Sequence, residues 1–541
     1  MLSPSAHTDT FCRDHLPPET QWPELIFELP ELRYPDRLNC ATALLDAAVA
    51  SHGRARPCLH TPDESWSYGE LLDRANQIAH VLTDDLGLVP GNRVLLRAPN
   101  TPWLVACWFA VIKAGGVVVT TMPLLRASEL TTLIELTRPR LALCDHRLTE
   151  DPAAADPTLP IVPVGGPTEA DLTRRIATHP TRFDDVATAA DDVVLLAPTS
   201  GTTGVPKATM HFHRDVLANA DTFAAHILAP RADDVFIGTP PLAFTFGLGG
   251  LVVFPLRVGA STVLLERPDP DTLLDAIENF SATVLFTAPT AYRALLKRDQ
   301  PTRLRSLRRC VSAGEHLPAP VYHRFLEQTG LKIINGIGGT ELLHIFISAA
   351  DDDIRPGATG RAVPGYRAQI QDESGRPVPD GTPGFLAVKG PTGCRYLADP
   401  RQRDYVRDGW NITGDTYLRD ADGYFWYQAR SDDMIVSAGY NIAAPEVEAV
   451  LEQHPDVVEC AVIGIPDPER GMIVHAAVVV GPGVPRDADQ ARRLQEYVKG
   501  VAAPYKYPRS IEFLDELPRN PSGKLQRYKL RERWRTACES R

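Results

Sequence analysis

Val193-Val194-Leu195-Leu196-Ala197-Pro198-Thr199-Ser200-Gly201-Thr202-Thr203-Gly204-Val205-Pro206-Lys207 is the stretch on which the reading of this chain turns. Its first part is an unbroken apolar run, the pattern of a strand buried on both faces of a parallel sheet. Its last nine residues hold four hydroxyl side chains, two glycines and one ammonium. At the end of a buried strand, such a run makes a cradle for a polyphosphate. Backbone N–H groups and hydroxyls point at phosphate oxygens and the lysine neutralises charge. The spacing is not GxxxxGK[ST], so a P-loop NTPase is not implied. Only nine of the 56 basic residues are lysines, which makes Lys207 in this setting less of an accident.

Outward from the cradle, strand and helix patterns alternate. Trp66 to Leu82 carries apolar residues at helical spacing behind Ser67, a capping residue. Arg93–Leu96, Val117–Val119 and Leu141–Cys144 read as strands, and Trp103–Lys113 and Ser128–Thr137 as helices. Further strands are expected at Ser261–Leu265, Thr283–Phe286, Arg309–Ser312 and Ile333–Asn335. The order predicts an α/β fold with parallel sheets covered by helices on both faces. The first 40 residues, rich in Pro and aromatics, read as a surface-wrapping arm, and residues 150–190 as a surface excursion. From about residue 355, frequent Gly and Pro turns and short apolar runs suggest a β-barrel-like part. After about residue 433 the order of elements suggests a small α+β domain, with helices at Pro445–Gln453 and Ala488–Val501 and strands at Val457–Gly464 and Val474–Val480.

Composition narrows the classes. The 541 residues, 44% hydrophobic and 23% charged, carry a formal net charge of −12. That excludes wholesale disorder and argues against nucleic acid or an anionic membrane as a partner. Nine cysteines at irregular spacing, with no CxxC, make neither a disulfide framework nor a zinc site, and fit a cytoplasmic location. The N-terminus lacks the basic and apolar blocks of a signal peptide. The uncharged run Val235–Leu256 contains three prolines and four glycines, so it reads as strand, loop and helix start, not a membrane helix.

Four more short motifs follow: Gly338-Gly339-Thr340-Glu341, Thr413-Gly414-Asp415, Arg430-Ser431-Asp432-Asp433-Met434-Ile435 and Asn520-Pro521-Ser522-Gly523-Lys524-Leu525. With the cradle, in this order, they resemble the signatures of the adenylate-forming superfamily of acyl- and aryl-CoA synthetases, adenylation domains and luciferases. Ile337 stands where that family carries an aromatic residue. The resemblance covers nearly the whole chain. It implies a large N-terminal domain over residues 1–431 (two parallel-sheet αβ subdomains plus the β-barrel-like part) and a small mobile α+β domain over residues 432–541, hinged at Asp432. It implies that Thr199, Ser200, Gly201, Thr202, Thr203, Gly204 and Lys207 hold the phosphates of ATP. Glu341 would bind Mg²⁺ and Thr340 would contact the AMP phosphate; a carboxylate beside a triphosphate makes sense only with a metal between. Asp415 and Arg430 would bind the ribose, and Gly314, Glu315 and His316 would line the adenine. Gly439 would leave room for the pantetheine arm of coenzyme A, and Lys524 would bridge the substrate carboxylate and the α-phosphate.

The acyl pocket is expected from Ala243, Phe244, Phe246, Gly338, His344 and Ile345. Phe244 stands where many fatty acyl-CoA synthetases carry His. The runs around Phe244 and His344 resemble the benzoate-CoA ligase branch, and within it the 2-aminobenzoate-CoA ligases. Two phenylalanines, an isoleucine and a glycine wall suit a flat aromatic ring. His344 is read either as a hydrogen-bonding partner of the acid or as part of the wall; His211 and His213, with no third ligand in view, are read as packing. The resulting expectation is an aryl acid–CoA ligase with ATP, Mg²⁺ and coenzyme A, acting on anthranilate first and benzoate or hydroxybenzoate next, as a monomer or homodimer. The alternatives are an enzyme that loads a free-standing carrier protein, and a catalytically silent nucleotide-binding homologue. The presence of Lys524, Glu341 and Asp415 argues against the latter.

Overall fold

The structure, a computed structural model, describes residues 2–200, 206–430, 434–437, 440–467, 470–502, 506–519 and 525–539. The chain divides into two compact units, Met1–Ala368 with Val388–Asn411, and Gln369–Ala387 with Ile412–Arg541. The α/β expectation holds in the first of these.

That unit contains two large sheets. The six-stranded sheet runs in the order Ile161–Val164, Leu141–Asp145, Arg93–Arg97, Val117–Thr121, Val193–Ser200, Pro206–Phe212. All neighbours in it are parallel except the last pair. The nine-stranded sheet keeps a parallel centre from Ile333–Gly338 through Arg309–Ser312, Val284–Thr287, Val235–Gly238 and Ser261–Val263 to Pro57–His60, with antiparallel strands at both edges. Val117, Val118, Val119, Val284, Leu285 and Phe286 are fully buried, as strands covered on both faces require.

Helix boundaries follow local chemistry. Ser67 and Glu70 form a reciprocal capping box that starts the helix Tyr68–His80. Trp66, just ahead of that cap, belongs to the strand Ser65–Ser67. Thr101 caps Pro102–Lys113, with Pro at the first helical position. The excursion over residues 150–190 is more ordered than expected. It holds the helices Glu150–Ala155 and Leu172–Arg175 and the strand Ile161–Val164. Pro163 hid that strand from a pattern reading, yet an edge strand tolerates a proline. The run Val235–Leu256 is a strand, a loop and a helical stretch, and among the described residues no helix is long and apolar enough to cross a membrane.

The second unit carries a sheet with Met434–Ser437, Tyr440–Ala443, Gly471–Val480, Val457–Asp467 and Ser510–Phe513, and the helices Ala444–Leu451 and Ala488–Val501. Its long hairpin is buried on both faces. Val462, Val474, Ala476 and Val478 pack under the two helices with Val447, Leu451, Leu494 and Val498. Ala461, Ile463, Ala477 and Val479, one residue out of phase, pack with Leu514, Leu517 and Leu530.

Candidate active site

In the first unit, the strands Val193–Ser200 and Pro206–Phe212 form a hairpin in which Thr199 pairs with Lys207 and Ser200 with Pro206. This places both ends of the cradle. Its tip, Gly201, Thr202, Thr203 and Gly204, lies outside the described residues. Thr199 Oγ1 is buried with no hydrogen-bond partner, an atom waiting for one.

Lys207 meets Glu341 across this hairpin. Lys207 Nζ lies 3.2 Å from Glu341 Oε1. Tyr396 joins them: its hydroxyl donates to Glu341 Oε1 at 2.5 Å and accepts from Lys207 Nζ. The ammonium also sits 4.0 Å from the Tyr396 ring centre and 5.5 Å from that of Tyr405, within cation–π range. Burial and the Glu341 charge push the Tyr396 phenol well above its ordinary pKa, so it stays a donor.

The backbone explains the meeting. Thr209 bridges Tyr396, Met210 N–H donates to Arg395 O, and Leu397 N–H donates to Ala208 O. Tyr396 is thereby laid along the strand that carries Lys207. Arg395 is fully buried beneath it, 2.8 Å from the equally buried Asp215 and 4.0 Å from the Phe212 ring centre. Glu341 comes from a short turn, Thr340–Leu342, directly after the strand Ile333–Gly338. His211 fixes that turn, with its Nε2–H donating to Thr340 O at 2.8 Å. Burial holds the His211 pKa down to about 4, so the ring is neutral. His213 is buried and accepts from Cys40 N–H at 3.1 Å. Packing describes His213; His211 packs and also positions the Thr340 turn. Glu341 is a hard oxygen donor that already draws an ammonium at the mouth of a phosphate cradle, so the residues present fit Mg²⁺.

The adenine-side candidates follow the strand Arg309–Ser312. Gly314 has φ +86°, a backbone conformation that favours glycine. Glu315 accepts from Thr290 Oγ1 at 2.6 Å. The His316 pKa is lowered to about 4, chiefly by burial, with Arg293 adding to it. In the second unit Asp415 lies opposite Arg430 in the antiparallel pair Trp410–Arg419 and Phe425–Arg430. Cross-strand register makes these two ribose candidates neighbours. Asp432, Gly439 and Lys524 lie outside the described residues.

Of the acyl-pocket candidates, Phe246 and Gly338 meet at His344, which is 3% exposed. Its ring lies 4.6 Å from Phe254, 5.5 Å from Phe223, 5.5 Å from Phe246 and 6.3 Å from Phe286, centre to centre. Neither ring nitrogen completes a hydrogen bond of good geometry, and only the Phe246 backbone makes a marginal polar contact with the ring. Burial holds its pKa down to about 3, the Phe246 backbone offsetting only part of this. Two glycines make the space: a Cβ on Gly249 would stand 2.4 Å from His344 Cδ2, and one on Gly338 would stand 2.6 Å from His344 O. Ile345 is buried against Gly336. Ala243 is tied through its carbonyl to Thr120 Oγ1 at 2.8 Å. Phe244 only opens the helix Thr245–Leu248 and, among the described residues, has no ring partner.

Sequence reasoning missed Tyr396, Tyr405, the Arg395–Asp215 pair and the three extra phenylalanines. Tyr396 stands in Gly393-Cys394-Arg395-Tyr396-Leu397, a run without periodicity. Its one signal was an arginine and an aromatic amid buried small residues, which is too weak to read.

Comparison with known proteins gives the family. The model of the AMP-binding enzyme family matches residues 45–396, and that of the AMP-binding enzyme C-terminal domain matches residues 446–524. The benzoate–CoA ligase of Thauera aromatica is 36% identical, over 93% of this chain and 97% of that one. The 4-hydroxybenzoate–CoA/benzoate–CoA ligase of Rhodopseudomonas palustris is 34% identical, over 91% and 94%. Among solved structures, the anthranilate CoA ligase AuaEII in complex with anthranoyl-AMP superposes with a TM-score of 0.89 at 35% identity, over 94% of this chain and all of that one (100%). A benzoate CoA ligase from Burkholderia xenovorans LB400 gives 0.84 at 33%, over 91% and 100%. The chain therefore belongs to the AMP-binding enzymes of the adenylate-forming superfamily, as an acid–thiol ligase of the acyl- and aryl-CoA ligase group that takes ATP and coenzyme A as substrates with Mg²⁺ as its metal.

Proposed function

We propose that this ligase joins an aromatic carboxylic acid to coenzyme A through an aryl-adenylate, with 2-aminobenzoate (anthranilate) as its first acid. The observation that carries this reading is His344: neutral, buried among Phe223, Phe246, Phe254 and Phe286, and without a well-formed hydrogen bond at either nitrogen. An unpaired buried polar ring costs free energy, and an ortho amino group or a carboxylate would supply the missing bond. The phenylalanines suit a planar apolar ring. The names of the relatives support the same class. Benzoate is the second reading, because the two curated relatives named above are benzoate ligases.

In this reading the acid's carboxylate attacks the α-phosphorus of ATP, pyrophosphate leaves, and the thiol of coenzyme A then attacks the mixed anhydride and releases AMP. Thr199, Ser200, Gly201, Thr202, Thr203, Gly204 and Lys207 hold the polyphosphate. Glu341 holds Mg²⁺, which when bound neutralises charge on the phosphate oxygens. Tyr396 keeps Lys207 and Glu341 in mutual register, and Thr340 contacts the AMP phosphate. Gly314, Glu315 and His316 line the adenine, and Asp415 and Arg430 hold the ribose. Lys524 bridges the carboxylate and the α-phosphate, so catalysis is positioning and charge neutralisation. The small domain, residues 432–541, then turns about Asp432, withdraws Lys524 and brings Gly439 to the pantetheine path.

The test is pyrophosphate release with MgATP against a panel of aryl, heteroaryl and fatty acids, with and without coenzyme A. Fastest turnover on 2-aminobenzoate with coenzyme A consumed is the expected result. Preference for benzoate moves the assignment to the second reading. Pyrophosphate release without coenzyme A consumption makes a carrier protein the acceptor, and no release with any acid points to a silent homologue.

A further inference from the structure

We propose that His80, Asp84 and His179 form a transition-metal site, fitted to Zn²⁺, on the face of the first unit that carries the excursion over residues 150–190. The helix Tyr68–His80 runs on into a wide turn, Val81–Asp85, so His80 and Asp84 stand four residues apart on one side. Beyond the helix Leu172–Arg175 the chain returns across this helix, and three side chains of the helix hold its backbone. Asn76 Nδ2 donates to Thr181 O at 2.8 Å, Gln77 Nε2 to Ile176 O and His179 O at 3.0 Å each, and His80 Nε2 to Arg182 O at 2.8 Å. His179 is therefore placed by bonds that do not involve its own ring. The rings of His80 and His179 lie almost parallel, 10° apart in plane with centres 6.0 Å apart. One ligand atom from each of His80, Asp84 and His179 falls within 4.8 Å of the others.

The orientation of the His80 ring adds a second geometric observation. A backbone carbonyl can only accept, so the Arg182 carbonyl puts a proton on His80 Nε2. His80 Nδ1 then faces Asp84 Oδ2 at 2.9 Å. An imidazole that gives its far N–H to a backbone carbonyl is in the orientation of a metal ligand. Thr83 Oγ1 donates to Asp84 Oδ1 at 2.8 Å and so turns Oδ2 toward the ring. Asp85 Oδ2, held by Arg175 at 3.0 Å, is 3.3 Å from His179 Nε2 and adds a second negative charge beside the cluster.

The donor set selects the ion. Two imidazoles and one carboxylate suit Zn²⁺, with solvent in the fourth position. Mg²⁺ and Ca²⁺ prefer oxygen alone. Bonds of about 2.1 Å need ligand atoms about 3.4 Å apart, which side-chain rotation supplies. None of these residues belongs to the phosphate, adenine, ribose or acyl sets, so the ion would pin residues 172–183 to the helix and leave the chemistry alone.

The experiment uses the full chain stripped with chelator, in buffer without ATP. Zn²⁺ binding is followed by equilibrium dialysis and thermal shift, and Co²⁺ binding by visible absorption, in the native protein and in His80→Gln and His179→Gln. The expected result is one equivalent of Zn²⁺ per chain bound with micromolar affinity, a raised Tm and a Co²⁺ band. Affinity should fall at least about tenfold in each variant, the loss that removal of even an outer partner can bring. Pyrophosphate release at saturating MgATP should stay unchanged in both. The proposal is overturned if the native protein takes up no stoichiometric Zn²⁺ in that range, or if His179→Gln binds as tightly as the native chain. The cluster would then be a set of surface ion pairs. Should a variant misfold, the Co²⁺ spectrum of the native protein alone decides, since imidazole and carboxylate ligands give a band distinct from thiolates.

Discussion

The phosphate end and the acyl end of the site are built on opposite plans. At the phosphate end, Lys207, Glu341 and Tyr396 already satisfy one another, and a charged ligand must exchange these partners for its own. At the acyl end His344 sits neutral among four phenylalanines, and the ligand has only to add a bond. The first plan works by charge, which residue types announce. The second works by shape, which residue types announce poorly.

Breaking this contrast gives a ranked set of outcomes. Lys524→Ala should lower adenylation by roughly 10²–10³, the range for removing one charge-stabilising donor, while sparing thioester formation from supplied aryl-AMP. Equal loss in both half-reactions, measured separately, would remove Lys524 from the role assigned to it. Glu341→Gln should cost about 10² in kcat and raise the Mg²⁺ requirement, with the KM for the acid little changed. Should Mg²⁺ dependence stay as it was, Glu341 is not the ligand.

Gly249→Ala addresses the other end. The new Cβ, 2.4 Å from His344 Cδ2 on ideal geometry, must push the ring. We expect a loss of about 1–3 kcal/mol in stability and a higher KM for the aryl acid with that for ATP unchanged. Urea unfolding and a two-substrate KM comparison read both, and a parallel rise in both KM values would deny the separation of the two ends. Tyr396→Phe keeps the ring under Lys207 and removes only the hydroxyl. It should give a smaller effect, about tenfold in kcat, with a loss of about 1 kcal/mol in stability read by urea unfolding.

The smallest effect is in pH. His211 and His316 are held down to about 4, and His213 and His344 to about 3, against an ordinary value of 6.5. Between the folded and unfolded values the unfolded chain binds more protons, so stability rises with pH in that window. It should be full above about pH 6.5 and fall as pH drops from 6.5 toward 4. Tm measured across that range in His344→Phe should show a shallower fall than in the native chain. The same variant should leave the KM for the aryl acid free of any titration near pH 6.5, because the native ring is already neutral there.

Buried parallel strands, helix caps and the phosphate cradle were legible because each is a local pattern: apolar runs, Ser67 with Glu70, and glycines and hydroxyls beside Lys207. The strand Ile161–Val164 was not, since Pro163 breaks the pattern while an edge position tolerates it. His344 could be singled out but its state could not. Whether a buried imidazole is paired depends on atoms brought in from residues 223, 246, 254 and 286, far away along the chain.

The amino-acid sequence by itself determined the α/β class, the order of the motifs and the chemistry they carry, because strand burial and phosphate binding depend on residue type at short range. Only the tertiary structure decided that Tyr396 stands between Lys207 and Glu341, that His211 holds the Thr340 turn, and that His344 makes no well-formed hydrogen bond. Those are meetings of residues 55 to 189 positions apart. Backbone pairing and glycine-made space fix them, and neither leaves a periodic trace in the chain.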